Sequence, residues 1–568
     1  MVIKSRFQIT FPNCSIQSWI LGSCSGPLPY PDNKAWVDAD DPENNYVTYA
    51  SARLLAKRLA AGPTAHGLQP GDRVLVIAGN SVIYPCVMLG IWMAGAVFTG
   101  ANPGYLAREL AFQLRDSDAT MMLVAPEQWE VALEAANIVG MPVENIYQLD
   151  NTVPDSKEDD HSHDPQHWLS LVASEEKGQS YEWQEPADPK SAICALNYSS
   201  GTTGLPKGVE VTHFNLVANG HSTVALHKLH PEYKQRTERA AALCILPMFH
   251  AFCQGYYISS FPHEGIPVYI MQRFDLLKML RHIATFRITK FLAVPPIFVA
   301  MSKHPIARKA DMSSLDMVGS GAAPLAEETR KEVSNLLSSS GEKMIREGWG
   351  MTELTCTGLG WDPLTPAEVG VGELMPGCMA KLFDLETGKE IFEPGVPGEL
   401  YISAPALMLG YWRKPEATRQ VISVDADGNR WLRTGDIAYI TPKYSAGAIF
   451  RIVDRAKELI KVRGFQVSPS ELDALLLERP DVADAAVVGV SINGEEAPRA
   501  YIVPMPGRPK PSEIEVQDWV KDRVVHYKRL RGGVVFVDAI PKNPAGKILR
   551  KVLQERARIE VEKTTARL

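Results

Sequence analysis

The stretch "YSSGTTGLPKG", Tyr198 to Gly208, decides the reading of this chain. Its eleven residues hold three glycines, two serines, two threonines, one proline and one lysine. The glycines at 201, 204 and 208 permit sharp turns and let backbone N–H groups approach an anion closely. Ser199, Ser200, Thr202 and Thr203 add hydroxyl donors, and Lys207 adds a mobile positive charge. The apolar run "SAICALNY" upstream reads as a buried strand feeding the loop. A Walker A loop requires Gly-x-x-x-x-Gly-Lys-Ser/Thr. Counted from Gly201, the sixth position here is Pro206, and Gly208 follows the lysine. Two readings fit the stretch alone: a phosphate-holding loop outside the Walker class, or a Gly/Ser/Thr surface loop.

A chain of 568 residues is too long for one ordinary core, so several domains are expected. With 45% hydrophobic and 22% charged residues it reads as a soluble globular protein. A net charge of −7 argues against a nucleic-acid partner, which calls for a basic footprint. The eight cysteines form no Cys-x-x-Cys pair, so a reducing compartment fits better than a zinc site or disulfide framework. The opening "MVIKSRFQITFPNC" lacks the apolar core of a signal peptide. Residues 82–101, "VIYPCVMLGIWMAGAVFTGA", approach the length of a membrane span. Pro85 and three glycines interrupt them, which predicts a buried helix followed by a buried strand and no transmembrane segment.

From about 45 to 150, helical and strand-like segments alternate, an α/β pattern. Residues 150–190 are polar and acidic and read as a surface connector; "HSH" and "HDPQH" within it read as solvated loop rather than metal site. A second α/β series runs from 193 to about 345. From 370 to 452, glycines and prolines punctuate short runs such as "GELYIS" and "AIFRIV", which predicts a small β unit. After "DRAKELIKVRGF" the texture changes. "SPSELDALLLERPDVADAAVVGV" reads as a helix capped by Ser468 or Ser470 and then a strand, and the tail reads as a separate small α+β domain.

Four further segments carry chemistry. "VGSGAAPL", 318–325, ends a strand on small residues that admit a flat ring. "EGWGMTE", 347–353, sets Trp349 between glycines, where it can stack on a base, and adds Thr352 and Glu353. "RTGD", 433–436, presents Asp436 after a tight turn, where a carboxylate can accept from a ribose diol. "NPAGKILRK" places Lys547 just before the last helix. Singly, each has an ordinary reading: Trp349 in the core, Asp436 in a turn, Lys547 solvated at a helix start.

Together, in this order and spacing, the segments resemble the adenylate-forming superfamily of acyl-CoA synthetases, peptide-synthetase adenylation domains and firefly luciferases. The resemblance covers nearly the whole chain. "NYSSGTTGLPKGVEVTH", "LPMFHAF", "SGAAPL", "GWGMTE", "TGD", "IVDRAKELIKVRGFQVSPSELD" and "PKNPAGKILRK" look like the 4-coumarate–CoA ligase-like branch. This implies a large N-terminal domain, residues 1–456, of two α/β sheet-and-helix subdomains and a β-barrel-like unit. A mobile α+β domain, 457–568, would follow a hinge near Lys457. The implied reaction joins a carboxylic acid to CoA through an acyl-adenylate, using ATP, CoA and Mg²⁺. Alternatives are transfer to a carrier protein or luciferase-like oxidation; the intact "VRGFQV" favours free CoA.

The resemblance also implies roles. Ser199, Ser200, Gly201, Thr202, Thr203 and Lys207 would cradle phosphates, with Thr202 and Glu353 near Mg²⁺, a hard ion that favours oxygen ligands. Ala322, Glu347, Gly348 and Trp349 would form the base pocket, Glu347 standing for a common Gln and Trp349 for a common Tyr. Thr352 would touch the α-phosphate. Asp436 and Arg455 would hold the ribose, and Lys457, Lys461 and Lys547 would act from the hinge and small domain. Arg273, Arg463 and Gly464 match the CoA side. His250, Phe252, Gly321 and Cys356 would line the acyl pocket, where Phe252 stands for Tyr and favours an apolar aryl or medium-chain acid. The final Ala566-Arg567-Leu568 is a variant of the peroxisomal Ser-Lys-Leu address, read by an import receptor; the cytoplasm is the alternative location.

Overall fold

The computed structural model describes residues 2–154, 164–199, 206–338, 344–366, 368–462, 465–492, 495–543 and 546–565. The alternating segments after residue 45 form a six-stranded sheet ordered Ile146–Gln148, Ala119–Val124, Arg73–Ile77, Val97–Ala101, Ile193–Ser199 and Lys207–Thr212. Its pairs are parallel except the last, an antiparallel hairpin that carries the glycine-rich stretch at its tip. The stretch 82–101 is a buried helix, Ile83–Met93, then the buried strand Val97–Ala101. The helix carries apolar residues all round because both its faces are covered. Among the described residues, no helix is long and apolar enough to cross a membrane.

The second α/β series forms a seven-stranded sheet ordered Arg346–Glu347, Met317–Ser320, Lys290–Ala293, Ala242–Cys244, Val268–Ile270, Lys34–Asp38 and Tyr46–Thr48. The N-terminal strand Lys34–Asp38 thus joins a sheet built mostly from residues two hundred positions later, which local pattern cannot reveal. The glycine- and proline-rich segment forms an antiparallel sheet around Gly398–Ser403, Arg430–Thr441 and Ile449–Arg455. Ile3–Lys4 pairs with Met379–Phe383 at its edge, Ile3 opposite Ala380.

The connector is less superficial than its composition predicts. Trp168 and Leu171 are fully buried, and the Trp168 indole N–H donates to Asp150 Oδ1 at 2.9 Å. Trp168 and Trp183, with Leu169, Leu171 and Val172, anchor a segment that is otherwise mostly polar; His161 and His163 lie outside the described residues.

The tail is a smaller domain. Helix Pro469–Leu477 is capped by Ser468, whose hydroxyl accepts from Glu471 N. Strands Val482–Ile492, Glu495–Pro504 and Val534–Phe536 form one sheet, flanked by helices Glu513–Lys521 and Arg550–Thr565. Its apolar side chains form their own clusters, around Leu472, Val487 and Ile502 on one face and Val488, Tyr501 and Leu553 on the other. The large part thus keeps a separate core.

Candidate active site

A cavity of about 1550 Å³ opens where the two parallel sheets, the antiparallel sheet and the small domain converge. The hairpin brings Ser199 opposite Lys207, so the two ends of the glycine-rich loop meet at its wall. The Ser199 hydroxyl donates to Glu353 Oε1 at 3.1 Å, and the Tyr411 hydroxyl donates to the same oxygen at 2.9 Å. The Lys207 ammonium sits 4.7 Å from the Tyr411 ring centroid. Ser200, Gly201, Thr202 and Thr203 lie outside the described residues.

Strands Lys290–Ala293 and Met317–Ser320 lead to Gly321 and Ala322 on the cavity wall. Ala322 has φ +69°, a left-handed conformation that costs a non-glycine residue free energy and recurs at ligand sites. A Cβ on Gly321 would lie 3.2 Å from the Phe252 ring. The missing side chain at Gly321 is what lets Phe252 form the neighbouring wall. Trp349 and Gly348 line the same end. A Cβ on Gly350 would fall 1.7 Å from the Cys356 carbonyl oxygen, so glycine is required for the turn that presents Trp349. Thr352, Cys356 and His250 complete this part of the lining.

From the small domain, Lys547 enters the cavity beside Asn543, whose Oδ1 accepts from Lys547 N at 2.8 Å. Gly546 precedes it with φ +76°, and a Cβ there would lie 3.2 Å from Pro296 and Val294. Arg455 and Lys457 also line the cavity.

Four expected residues stand elsewhere. Glu347 does not line the cavity: strand alternation turns Arg346 and Gly348 toward it, while Glu347 accepts from Leu325 N at 3.0 Å on the other face. Asp436 is buried behind the wall, its Oδ2 accepting from Trp349 Nε1 at 2.8 Å and its Oδ1 lying 3.4 Å from Arg455 Nε. Lys461 is exposed on the hairpin of Ile460–Val462 and Phe465–Val467, away from the cavity. Arg273 is a surface residue 3.8 Å from Glu127. Arg463 and Gly464 lie outside the described residues. Sequence reasoning missed Tyr411, Tyr256 and Asn543. An aromatic after the turn glycine in "MLGYW" was the available signal for Tyr411.

The description "AMP-binding enzyme" belongs to the family model that matches residues 28–412, and its C-terminal-domain companion matches 471–547. The chain belongs to the AMP-binding enzymes. This AMP-binding enzyme is 35% identical to phenylacetyl-CoA ligase epaB of Aspergillus niger, over 98% of its own length and 99% of the relative's. It is 35% identical to 4-coumarate–CoA ligase 1 of Petroselinum crispum, over 90% and 89% of the two chains. Its fold matches the crystal structure of ATP-bound MatB from Rhodopseudomonas palustris with TM-score 0.79 and 26% identity, covering 96% of this chain and 99% of that one.

Lys547 and His250, both lining the AMP-binding enzyme's cavity, have displaced titrations. Burial lowers Lys547 to about 8; Arg455 adds to the fall, and Glu458, Asp436 and Glu353 oppose it. Burial lowers His250 to about 4, so it is neutral at pH 7. Its Nδ1 accepts from Phe252 N at 3.2 Å, which leaves the proton on Nε2.

Proposed function

We propose that this enzyme joins a carboxylic acid to CoA in two half-reactions that share one cavity. The observation that carries the reading is Lys547. The small domain places it in the cavity that Lys207, Glu353, Thr352, Trp349 and His250 line from the large domain. In the first step a carboxylate oxygen attacks the α-phosphorus of ATP, and pyrophosphate leaves. In the second the CoA thiolate attacks the acyl carbonyl, and AMP leaves.

The roles follow from position. Ser199 and Lys207, with the loop they flank, hold the departing phosphates. Trp349 supplies the flat face for the base. Thr352 and the Lys547 ammonium meet charge that develops at the α-phosphate, where a preorganised donor acts most strongly. Neutral His250 stands between the phosphate and acyl ends, offering Nε2–H to the carboxylate without adding charge. Glu353 suits Mg²⁺: Oε1 takes two donors, while Oε2 has no hydrogen-bond partner among the described residues. Mg²⁺ commonly takes one or two carboxylates plus phosphate oxygens, so Glu353, with Thr202, would hold it. When bound, the ion neutralises phosphate charge.

In this reading residues 457–568 turn about Lys457 between steps. Lys547 faces the cavity for the first step. The segment of Lys461, Arg463 and Gly464 replaces it for the second, with Arg273 on the CoA side. The substrate body is an apolar aryl or medium-chain chain against Phe252. Ala566-Arg567-Leu568, outside the described residues, addresses the enzyme to the peroxisome, where acyl activation is in keeping with its chemistry. The test is a mixture of acid, ATP and CoA: release of pyrophosphate and AMP with thioester formation is expected. Pyrophosphate release without a CoA thioester overturns the assignment of free CoA as acceptor.

A further inference from the structure

The cavity continues past the residues assigned to adenylate. Strands Lys290–Ala293 and Met317–Ser320 run along its wall, with Lys290 beside Met317 at one end and Ala293 beside Ser320 at the other. The second end leads to Gly321 and Ala322. Three steps of parallel strand span roughly 10 Å, so Lys290 lies about that much deeper. Side chains alternate across a strand. Phe291 and Ala293 pack into the core behind the sheet, whereas Lys290 and Leu292 line the cavity. Leu226, Met317 and Phe252 give the same chamber apolar wall.

The ionisable Arg, Asp, His and Glu side chains at the deep end are paired, and Lys290 is not. Arg236 Nε donates to Asp316 Oδ2 at 2.8 Å. His227 Nδ1 lies 2.9 Å from Glu264 Oε2. Lys290 is only 7% exposed, and its ammonium has no hydrogen-bond or ion-pair partner among the described residues. Buried polar groups are almost always hydrogen-bonded. Burial disfavours the Lys290 charge, and Asp316 and Glu264 support it from beyond hydrogen-bond reach. The donor therefore faces the chamber with no protein acceptor.

We propose that Lys290 receives an oxygen acceptor at the far end of the substrate, so that the acid is bifunctional. It carries the carboxylate to be activated at one end, an apolar body, and a hydroxyl, carbonyl or second carboxylate at the other. The inference rests on the acid–CoA ligase reading of the same cavity. It also qualifies the apolar acid expected from Phe252: a hydroxyl is lost near His250, but a donor stands deeper.

The test compares octanoate, ω-hydroxyoctanoate and octanedioate, and phenylpropanoic acids bearing para-methyl, para-hydroxyl or para-carboxyl groups, by pyrophosphate release. The wild-type enzyme should prefer an oxygen-ended acid over its methyl counterpart tenfold or more in kcat/KM, since a site built to hydrogen-bond a group rejects the analogue lacking it. The hydroxyl and carboxylate arms show whether a neutral or an anionic acceptor fits best; a preference for either supports the proposal. Lys290→Met, close in size and uncharged, should reverse the preference through KM with kcat for methyl-ended acids retained. Lys290→Arg should keep the preference. The same ranking in wild type and a folded Lys290→Met overturns the inference alone. Pyrophosphate release with none of the acids overturns the ligase reading and the inference with it.

Discussion

Trp349 and Asp436, 87 positions apart, are joined by a 2.8 Å hydrogen bond from the indole Nε1 to Oδ2. The ring proposed to face the base therefore also fixes the carboxylate proposed as the ribose acceptor. A tyrosine or phenylalanine ring at this position has no N–H to do so. Trp349→Phe keeps a stacking face and removes the donor. Hydrogen bonds to charged groups contribute about 1.5–3 kcal/mol. We expect the ATP Kd to rise about tenfold, with Trp349→Ala weaker still. Unchanged or tighter ATP binding by Trp349→Phe would show that the indole competes with the ribose instead of orienting Asp436.

In its proposed role, Lys547 must be protonated to stabilise negative charge at the α-phosphate. Its value is lowered to about 8, so the active ammonium prevails below that pH and is lost above it. Free-enzyme groups shape kcat/KM. Adenylation kcat/KM for ATP should therefore fall as pH rises through about 8. Lys547→Arg, which stays charged, should flatten this limb whatever its overall rate. An unflattened limb assigns the titration to another group.

Gly546 is pressed against Pro296 and Val294 and holds a positive φ. Gly546→Val adds both a clash and backbone strain just where the Lys547 loop docks. Acyl-AMP formation from acid and ATP should drop about 10²–10³-fold, the usual cost of losing a preorganised donor. Thioester formation from supplied acyl-AMP and CoA should persist. Equal loss of both half-reactions, with an intact melting transition, refutes a role confined to the first step.

Tyr411 donates to Glu353 from a position no motif singled out. Groups that orient a metal-holding carboxylate typically matter 10–100-fold for metal affinity. Tyr411→Phe should raise the Mg²⁺ concentration for half-maximal activity about tenfold while ATP-independent stability stays near wild type. A Mg²⁺ titration that superimposes on wild type removes Tyr411 from this role.

The cavity lining was legible wherever function demands an unusual local sequence. Gly321 and Gly350 must lack side chains, Trp349 must sit between glycines, and Lys547 must stand at a loop end, so the letters alone mark them. Glu347 was misplaced because motif adjacency ignores strand alternation: its neighbours Arg346 and Gly348 face the cavity and it does not. Lys461 and Arg273 depend on where a whole domain or surface loop stands. Lys290 escaped notice because one lysine in an apolar strand has no periodicity to announce it. The connector was misread because average polarity hid two buried tryptophans, Trp168 and Trp183.

The edge strand Ile3–Lys4 has a consequence for synthesis of the chain. Its partner Ala380 leaves the ribosome 377 residues after Ile3. At about 5–20 residues per second, this strand waits roughly 20–75 s for its neighbour. Lys34–Asp38 is better placed: it can pair at once with Tyr46–Thr48, and only its other edge waits for Val268–Ile270. The Ile3–Lys4 strand is thus unpaired for most of translation, a period in which chaperone access and elongation rate, not final stability, govern the yield of folded enzyme.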